Sequence, residues 1–288
     1  METRLRAYQL DSEGSLFSHY KPGVFTLIEA RIPKAGILDI INELAIFGKT
    51  KIDCLHITSW DIDHCKYDDL IQILNKFRPG LIELPFYDPE TEEGKLCKNT
   101  IEGYEVVHER YKPNVHAWTK VWFDGLSPAT PKTTGNVVYR PDFESSESND
   151  KSLMQLLRSN GFNVVSLGDV ESAVIAKRLL TCEVFKNEID VLILPHHGAD
   201  NGFITGDLLD QIKPKIAICS SNHGNQYRHP KEKIRSLLSN RSIPLLTTKE
   251  GDIIIEHVKG GIHTSARNFV SNNTGLQGTH VFVSKRYH

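Results

Sequence analysis

Three short apolar runs in this chain stop abruptly in loops of potential metal ligands, and each loop leads into a helical pattern. Ile52–Thr58 runs into Ser59-Trp60-Asp61-Ile62-Asp63-His64, Asn163–Leu167 into Gly168-Asp169, and Asp190–Leu194 into Pro195-His196-His197-Gly198. Strand-then-helix alternation of this kind builds layered α/β architecture. In open α/β sheets the carboxyl ends of the strands are where ligands bind, so three such loops can converge on one centre. Within the first loop, Asp61 and Asp63 point the same way if the backbone is extended. Carboxylates crowded so closely repel each other unless solvent bathes them or a cation sits among them. Mixed Asp and His donors suit zinc, manganese or iron. The residues read as a metal-centred hydrolase.

The rest of the chain supports the layered reading. Two short strands open it, Arg6–Leu10 and Val24–Ile28, and Glu29 stands where the second runs out. Ile37, Ile40, Ile41, Leu44 and Phe47 keep helical spacing up to Gly48, and Asp68–Phe77 reads as a second helix. Leu81–Leu84 is a short strand, and Tyr104–His108 and Val115–Phe123 look like two more. The Pro/Thr/Ser-rich segment Ser127–Gly135 and the acidic Glu144–Asp150 read as surface loops. After Asp169, Val170, Val174, Ile175, Leu179 and Leu180 give a helix with those residues inward. A helix around Thr205–Ile212 leads to the strand Lys215–Cys219 and a polar loop, and His229-Pro230 opens the helix Lys231–Ser239. Ile243–Leu246 and Ile253–Ile255 flank Lys249-Glu250-Gly251-Asp252, a hairpin signature. Beyond Gly260 the pattern is weak, as in a tail or an edge element.

Composition narrows the function classes. A net charge of −2 announces no polyanion partner, although a local groove stays compatible with it. Five cysteines, odd in number and without CxxC spacing, point to a reducing compartment. No apolar run approaches the ~18 residues that a membrane helix needs, and the N-terminal stretch has no signal-peptide core. The expectation is a soluble, cytoplasmic protein without a membrane partner.

Taken together, Thr-Ser-Trp-Asp-Ile-Asp-His (58–64), Gly-Asp (168–169), Leu-Pro-His-His-Gly (194–198), Ser-Asn followed by Tyr-Arg-His-Pro (221–230) and Thr-Thr-x-x-Gly-Asp-Ile (247–253) resemble the metallo-β-lactamase fold. The branch they resemble is the hydrolase domain of ComEC/Rec2 competence proteins, and Asn149-Asp150-Lys151-Ser152-Leu153 also matches that branch. The resemblance covers roughly residues 5–256. It implies an α/β, four-layered αββα sandwich with one or two metals at its edge and hydrolysis by a metal-bound hydroxide. Residues 1–256 are then the hydrolase domain, and 257–288 an extension that packs on it or is partly flexible. The resemblance also implies a strand over Ser152–Arg158, a segment whose own pattern suits a helix.

The resemblance carries over position by position. Ser59 stands at the first ligand position of the signature and Asp61 at the second, while Asp63 and His64 match; Arg140 stands where a third His is frequent. Asp169 matches the bridging carboxylate, and His196 or His197 the last ligand. The implied ligands are thus Asp61, Asp63, His64, Asp169 and one of His196 and His197, holding one firm Zn or Mn ion and a weaker second. Asp63 is the expected orienter of the attacking water. His229 is the expected contact to a phosphate or leaving group, aided by Asn222, Arg140 and Arg228. An Arg in place of a ligand supplies fixed charge opposite phosphate, which favours phosphodiesters in a nucleic acid or nucleotide over β-lactams or thioesters. Such stand-alone enzymes occur in DNA uptake, repair and antiviral defence, as a homodimer or with a companion protein. Set against this, Ser59 and Arg140 also fit a member that has lost catalysis and binds a nucleotide or a partner. Each residue has a plainer reading as well: a Gly-Asp after a strand commonly caps the next helix, His56 alternates as a core residue would, and Trp60 suits packing.

Overall fold

The computed structural model describes residues 2–107, 113–125, 135–222, 224 and 226–287. Two sheets face each other. The first has nine strands, in the order β15 (Gly275–Val283), β14 (His263–Val270), β13 (Ile253–His257), β1 (Thr3–Ala7), β2 (Phe17–Lys21), β3 (Val24–Ile28), β4 (Cys54–His56), β5 (Leu81–Leu84) and β6 (Asn114–Ala117). The second has six, in the order β12 (Leu245–Thr247), β11 (Ile216–Cys219), β10 (Val191–Ile193), β9 (Val164–Ser166), β8 (Met154–Leu157) and β7 (Val137–Tyr139). Pairing is parallel from β3 to β6 and from β9 to β12, and antiparallel elsewhere.

Strand residues alternate between two apolar environments, which is why the parallel strands read as continuous hydrophobic runs. In β10, Val191 and Ile193 join Leu5, Phe17, Ile218 and Ile255 between the sheets, while Leu192 faces outward. The outer face of the first sheet is covered by α1 (Ile37–Ala45), α2 (Tyr67–Phe77) and α3 (Glu92–Val107) through Ile40, Leu44, Leu70, Leu74, Cys97 and Ile101. The short helix α4 (Lys120–Asp124) follows β6. On the second sheet, α5 (Ala173–Leu179), α6 (Glu183–Glu188), α7 (Gly206–Ile212) and α8 (Glu232–Ser239) bury Ile175, Phe185, Leu208 and Ile234. The result is the expected αββα sandwich.

Several local readings change. Tyr104 lies in α3, not a strand, because Cys97, Ile101 and Tyr104 continue one helical face onto the sheet; His108 lies outside the described residues. The run Val115–Phe123 breaks after Ala117, and Trp122 sits in α4, where Thr119 Oγ1 caps the helix by accepting from the Trp122 N–H. Most of the Ser127–Gly135 segment lies outside the described residues. β2 went unread because Phe-Ser-His-Tyr-Lys carries too few apolar residues to declare a strand. The first strand spans Thr3–Ala7, earlier than Arg6–Leu10. Val174 is exposed in α5, since that helix begins only at Ala173 and its buried face starts with Ile175. The Lys249–Asp252 turn joins no hairpin: β12 and β13 belong to different sheets, so the segment crosses the sandwich. β8 confirms a strand within Ser152–Arg158. Residues 263–283 form an antiparallel pair that extends the edge of the first sheet.

Candidate metal centre

Parallel strands from both sheets deliver their carboxyl ends to one edge. β4 runs into Thr58, β9 into Asp169, β10 into His197 and β11 into Ser220. Two contacts weld the loops. The His196 N–H donates to Gly168 O at 3.1 Å, and the Asp169 N–H donates to Ser152 Oγ at 3.1 Å. Gly168 has φ +56°, and a Cβ there would lie 2.7 Å from Ser152 Cβ and 3.0 Å from Thr58 Cβ. Only glycine allows that turn and that approach.

His64 is oriented from behind. The Glu29 carboxylate accepts from the Thr58 N–H at 3.0 Å and the Thr58 hydroxyl at 2.5 Å, and lies 3.0 Å from His64 Nδ1. A carboxylate on Nδ1 fixes the tautomer that leaves Nε2 as the donor atom to a metal. His197 is arranged likewise, with Nδ1 2.9 Å from Ser220 O. His196, His197 and Gly198 all have positive φ (46°, 52° and 81°), a rare backbone for non-glycine residues that concentrates at functional sites.

These supports bring Asp63, His64, Asp169 and His197 together, with one donor atom from each and all four within 4.8 Å of one another. His64 Nε2 lies 2.9 Å from Asp169 Oδ1, and His197 Nε2 3.1 Å from Asp63 Oδ2. The donor set fits a divalent ion. Ligands about 2.0–2.1 Å from a tetrahedral zinc stand roughly 3.3–3.5 Å apart, and the four N–O approaches here run from 2.9 to 3.9 Å. Moreover, the buried His64 Nε2 makes no aligned hydrogen bond despite its closeness to Asp169. An ion would satisfy it. Burial works against charge on His64, but Asp169, Asp63 and Glu29 outweigh it and raise its pKa well above the usual imidazole range. Burial opposes ionisation of Asp63 and Asp169 as well, yet the imidazoles hold both below the usual carboxylate range. Local charge thus favours ionised carboxylates facing a cation.

The other sequence-derived residues divide. Asp61 is not one of the four donors; it lines the cavity, takes a 3.0 Å hydrogen bond from Ser59 Oγ, and is raised by burial. Ser59 Oγ also lies 3.1 Å from Tyr87 Oη, so a hydroxyl engaged with a phenol stands at the signature's first ligand position. His196 pairs with Glu171 instead of joining the cluster. His229 is buried and stacks on His197, 6.4 Å between ring centroids and 15° from parallel. Burial, then His197 and His196, lower His229 to about 4. Asn222 lines the same cavity of about 620 Å³. Arg140 does not: its guanidinium pairs with Asp124 and lies over Phe143, outside the cavity lining. Arg228 is exposed, with φ +53°, and is absent from the cavity lining.

The sequence reading missed Arg31, Lys66 and Tyr227, which do line the cavity. Arg31 pins the loops by donating to Glu13 O at 2.8 Å and Ile62 O at 3.1 Å. Nothing in its surroundings in the sequence marks it. Tyr227, stacked 5.6 Å from His229, sits inside the Tyr-Arg-His-Pro motif and was within reach.

No family model matches the chain. ComE operon protein 3 of Bacillus subtilis (strain 168) is 26% identical over 226 residues, covering 78% of this chain and 27% of that protein. Competence protein ComA of Neisseria gonorrhoeae is 26% identical over 211 residues, covering 73% and 26%. The chain therefore spans about a quarter of the length of these curated relatives. Among solved structures, the metallo-β-lactamase fold protein YhfI from Bacillus subtilis aligns with a TM-score of 0.51 at 11% identity, covering 89% of this chain and 100% of that one. The chain has the metallo-β-lactamase fold, and over about three quarters of its length its sequence is similar to that of the two curated competence-type relatives.

Proposed function

We propose that this protein is a metal-dependent hydrolase of phosphodiesters, a nuclease or nucleotide phosphodiesterase working in the cytoplasm. The observation that carries this reading is the cluster of Asp63, His64, Asp169 and His197, with Asp63, Asp169 and His197 lining the cavity and His64 buried behind them. Zinc and manganese both suit those donors. Held by these four residues, a divalent ion would supply a water of lowered pKa and a Lewis acid for the substrate's oxygen.

The chain's own residues supply the rest. The Asp63 side chain is 26% exposed to the cavity while Asp169 is 5% exposed. Asp63 is therefore the carboxylate that orients the attacking water and accepts its proton, and Asp169 is an anchor. His229, neutral at physiological pH, acts as an N–H donor to a non-bridging phosphate oxygen and not as a cation. Positive charge at the cavity comes from Lys66, since the Arg31 guanidinium is paired with Asp69 and holds the loops. DNA is the polymer proposed, on the similarity to a relative named a competence protein.

The test counts metal and cleavage together. Purified protein should carry close to one ion per chain and cleave bis(p-nitrophenyl) phosphate or single-stranded DNA with Mn²⁺. Asp63→Ala and Asp169→Ala should abolish cleavage. Activity that survives both substitutions removes this reading, and bound nucleotide without turnover in the metal-loaded wild type would favour a non-catalytic binder.

A further inference from the structure

A second cavity, of about 590 Å³, lies at the other end of the sandwich. Its lining includes the β2–β3 turn at Lys21, the β8–β9 connection at Arg158 and Asn160, the end of α6 at Glu188, and the C-terminal turn at Lys285 and Arg286. β9 and β10 begin here and finish at the metal centre, so the two sites share strands but face away from each other.

Four cationic side chains line this cavity, against the single carboxylate of Glu188. Glu188 is already consumed by Arg158, through contacts of 2.7 and 2.8 Å to both of its oxygens. Lys21 Nζ donates to Asn136 Oδ1 at 3.0 Å and Lys285 Nζ to Ile212 O, both neutral acceptors, so Lys21, Lys285 and Arg286 have no counter-charge within the lining itself. Arg286 is anchored through Nη1, to Ser159 O at 2.9 Å and Asn160 Oδ1 at 3.2 Å, and its other two nitrogens have no partner among the described residues. Burial lowers the Lys21 and Lys285 ammonium groups, the latter to about 8 against the opposing charge of the buried Asp190, with Lys215 and Lys213 adding to the lowering. Cations held this close in a chain of net charge −2 are a local, built concentration of positive potential.

We infer that this cavity binds a small phosphate-bearing anion, with Lys21, Lys285 and Arg286 as its recognition groups. A half-satisfied guanidinium matches the paired oxygens of a phosphate, and two ammonium groups complete the neutralisation. The volume lies within the range of small-molecule sites. The recess is walled by three chain turns, which suits a nucleotide or pyrophosphate better than a polymer strand. The site is independent of the metal centre and of the proposed hydrolysis.

The experiment is calorimetric titration of the full chain carrying Asp63→Asn and His197→Gln, in EDTA, so that no phosphate is captured by a metal. Inorganic pyrophosphate, ADP and a short DNA oligonucleotide are the probes. Pyrophosphate or ADP should saturate at one site, and Lys21→Gln with Arg286→Gln should weaken binding by about tenfold or more, the loss expected for two charge-assisted contacts. Arg286→Gln alone gives the same direction should the double variant fold poorly, as checked by its melting curve. Absence of saturable binding by either small probe overturns the inference, as does unchanged affinity in a folded variant. So does binding of the oligonucleotide alone.

Discussion

His197 Nε2 lies 3.1 Å from Asp63 Oδ2, although 134 positions separate the two residues. Two strands in different sheets end at the same height, and only that coincidence makes the pair. His196, its immediate neighbour, turns away towards Glu171. His197→Ala should therefore lower metal affinity by more than the roughly 10–100-fold that loss of an outer hydrogen-bond partner costs. His196→Ala should leave the metal content near wild type. Elemental analysis of both purified variants checks this; equal metal loss would refute the assignment of His197 over His196.

Glu29 touches no reacting atom yet holds His64 Nδ1 at 3.0 Å. Replacing it by Gln keeps the size but removes the charge that fixes the tautomer. Metal affinity should fall about 10–100-fold, while the melting temperature of the metal-free protein changes little. A competition assay with a chromogenic chelator reads the first quantity.

His229 offers a donor and not a charge. Its pKa is lowered to about 4, so it stays neutral throughout the physiological range, and a nearby divalent ion would depress it further. Activity should show no acid limb from this group until pH falls to about 4. His229→Gln, which keeps an N–H donor, should retain activity within about tenfold of wild type, and His229→Ala should lose about 10–100-fold, the cost of one hydrogen bond to a charged group. A pH–rate profile with an acid limb near 6.5 that disappears in His229→Gln would contradict this role.

Buried in β2, His19 contributes to acid sensitivity. Burial, with a contribution from Lys21, lowers it to about 3, and its Nε2 has no hydrogen-bond partner among the described residues. In the unfolded chain the same imidazole titrates near 6.5. Stability from this group is thus fully present above pH 6.5 and is lost as pH falls towards 3, because the unfolded state takes up the proton first. At pH 4.5 the loss relative to pH 7 should be about 2.5 kcal/mol. Urea melts at pH 7 and 4.5 should show a smaller difference for His19→Leu than for wild type.

Gly168→Ala should cost about 1–2 kcal/mol from the left-handed backbone alone, and more from the approach to Ser152 and Thr58. Because the same residue anchors His196 and carries Asp169, metal affinity should drop with stability. Loss of stability with intact metal binding would show that the loops are not coupled there.

The donor types were legible wherever a strand ended in a short polar loop. Asp63, His64 and Asp169 could be picked out because Asp and His clustered after apolar runs that only buried strands explain. Arg140 was misplaced because position along a motif says nothing of a side chain's direction, and Asp124 from a neighbouring helix captures it. The β14–β15 pair stayed hidden since its residues are largely polar and half exposed, as edge strands are. The supposed hairpin around Gly251 failed for a similar reason. Local turn chemistry cannot say whether two strands share a sheet, and here Leu246 and Ile253 meet in the inter-sheet core from opposite sides.

By itself the sequence determined the layered α/β architecture and the chemistry of the donors, since hydrophobic periodicity and ligand type are local properties of the chain. The tertiary structure decided which donors meet. The choice of His197 over His196 rests on successive left-handed residues and on Ser220 O, a carbonyl delivered by another strand. The orientation of His64 rests on Glu29, from a strand two segments earlier. Such choices depend on the register of strands far apart in the chain, where a difference of one residue sends a side chain to the opposite face.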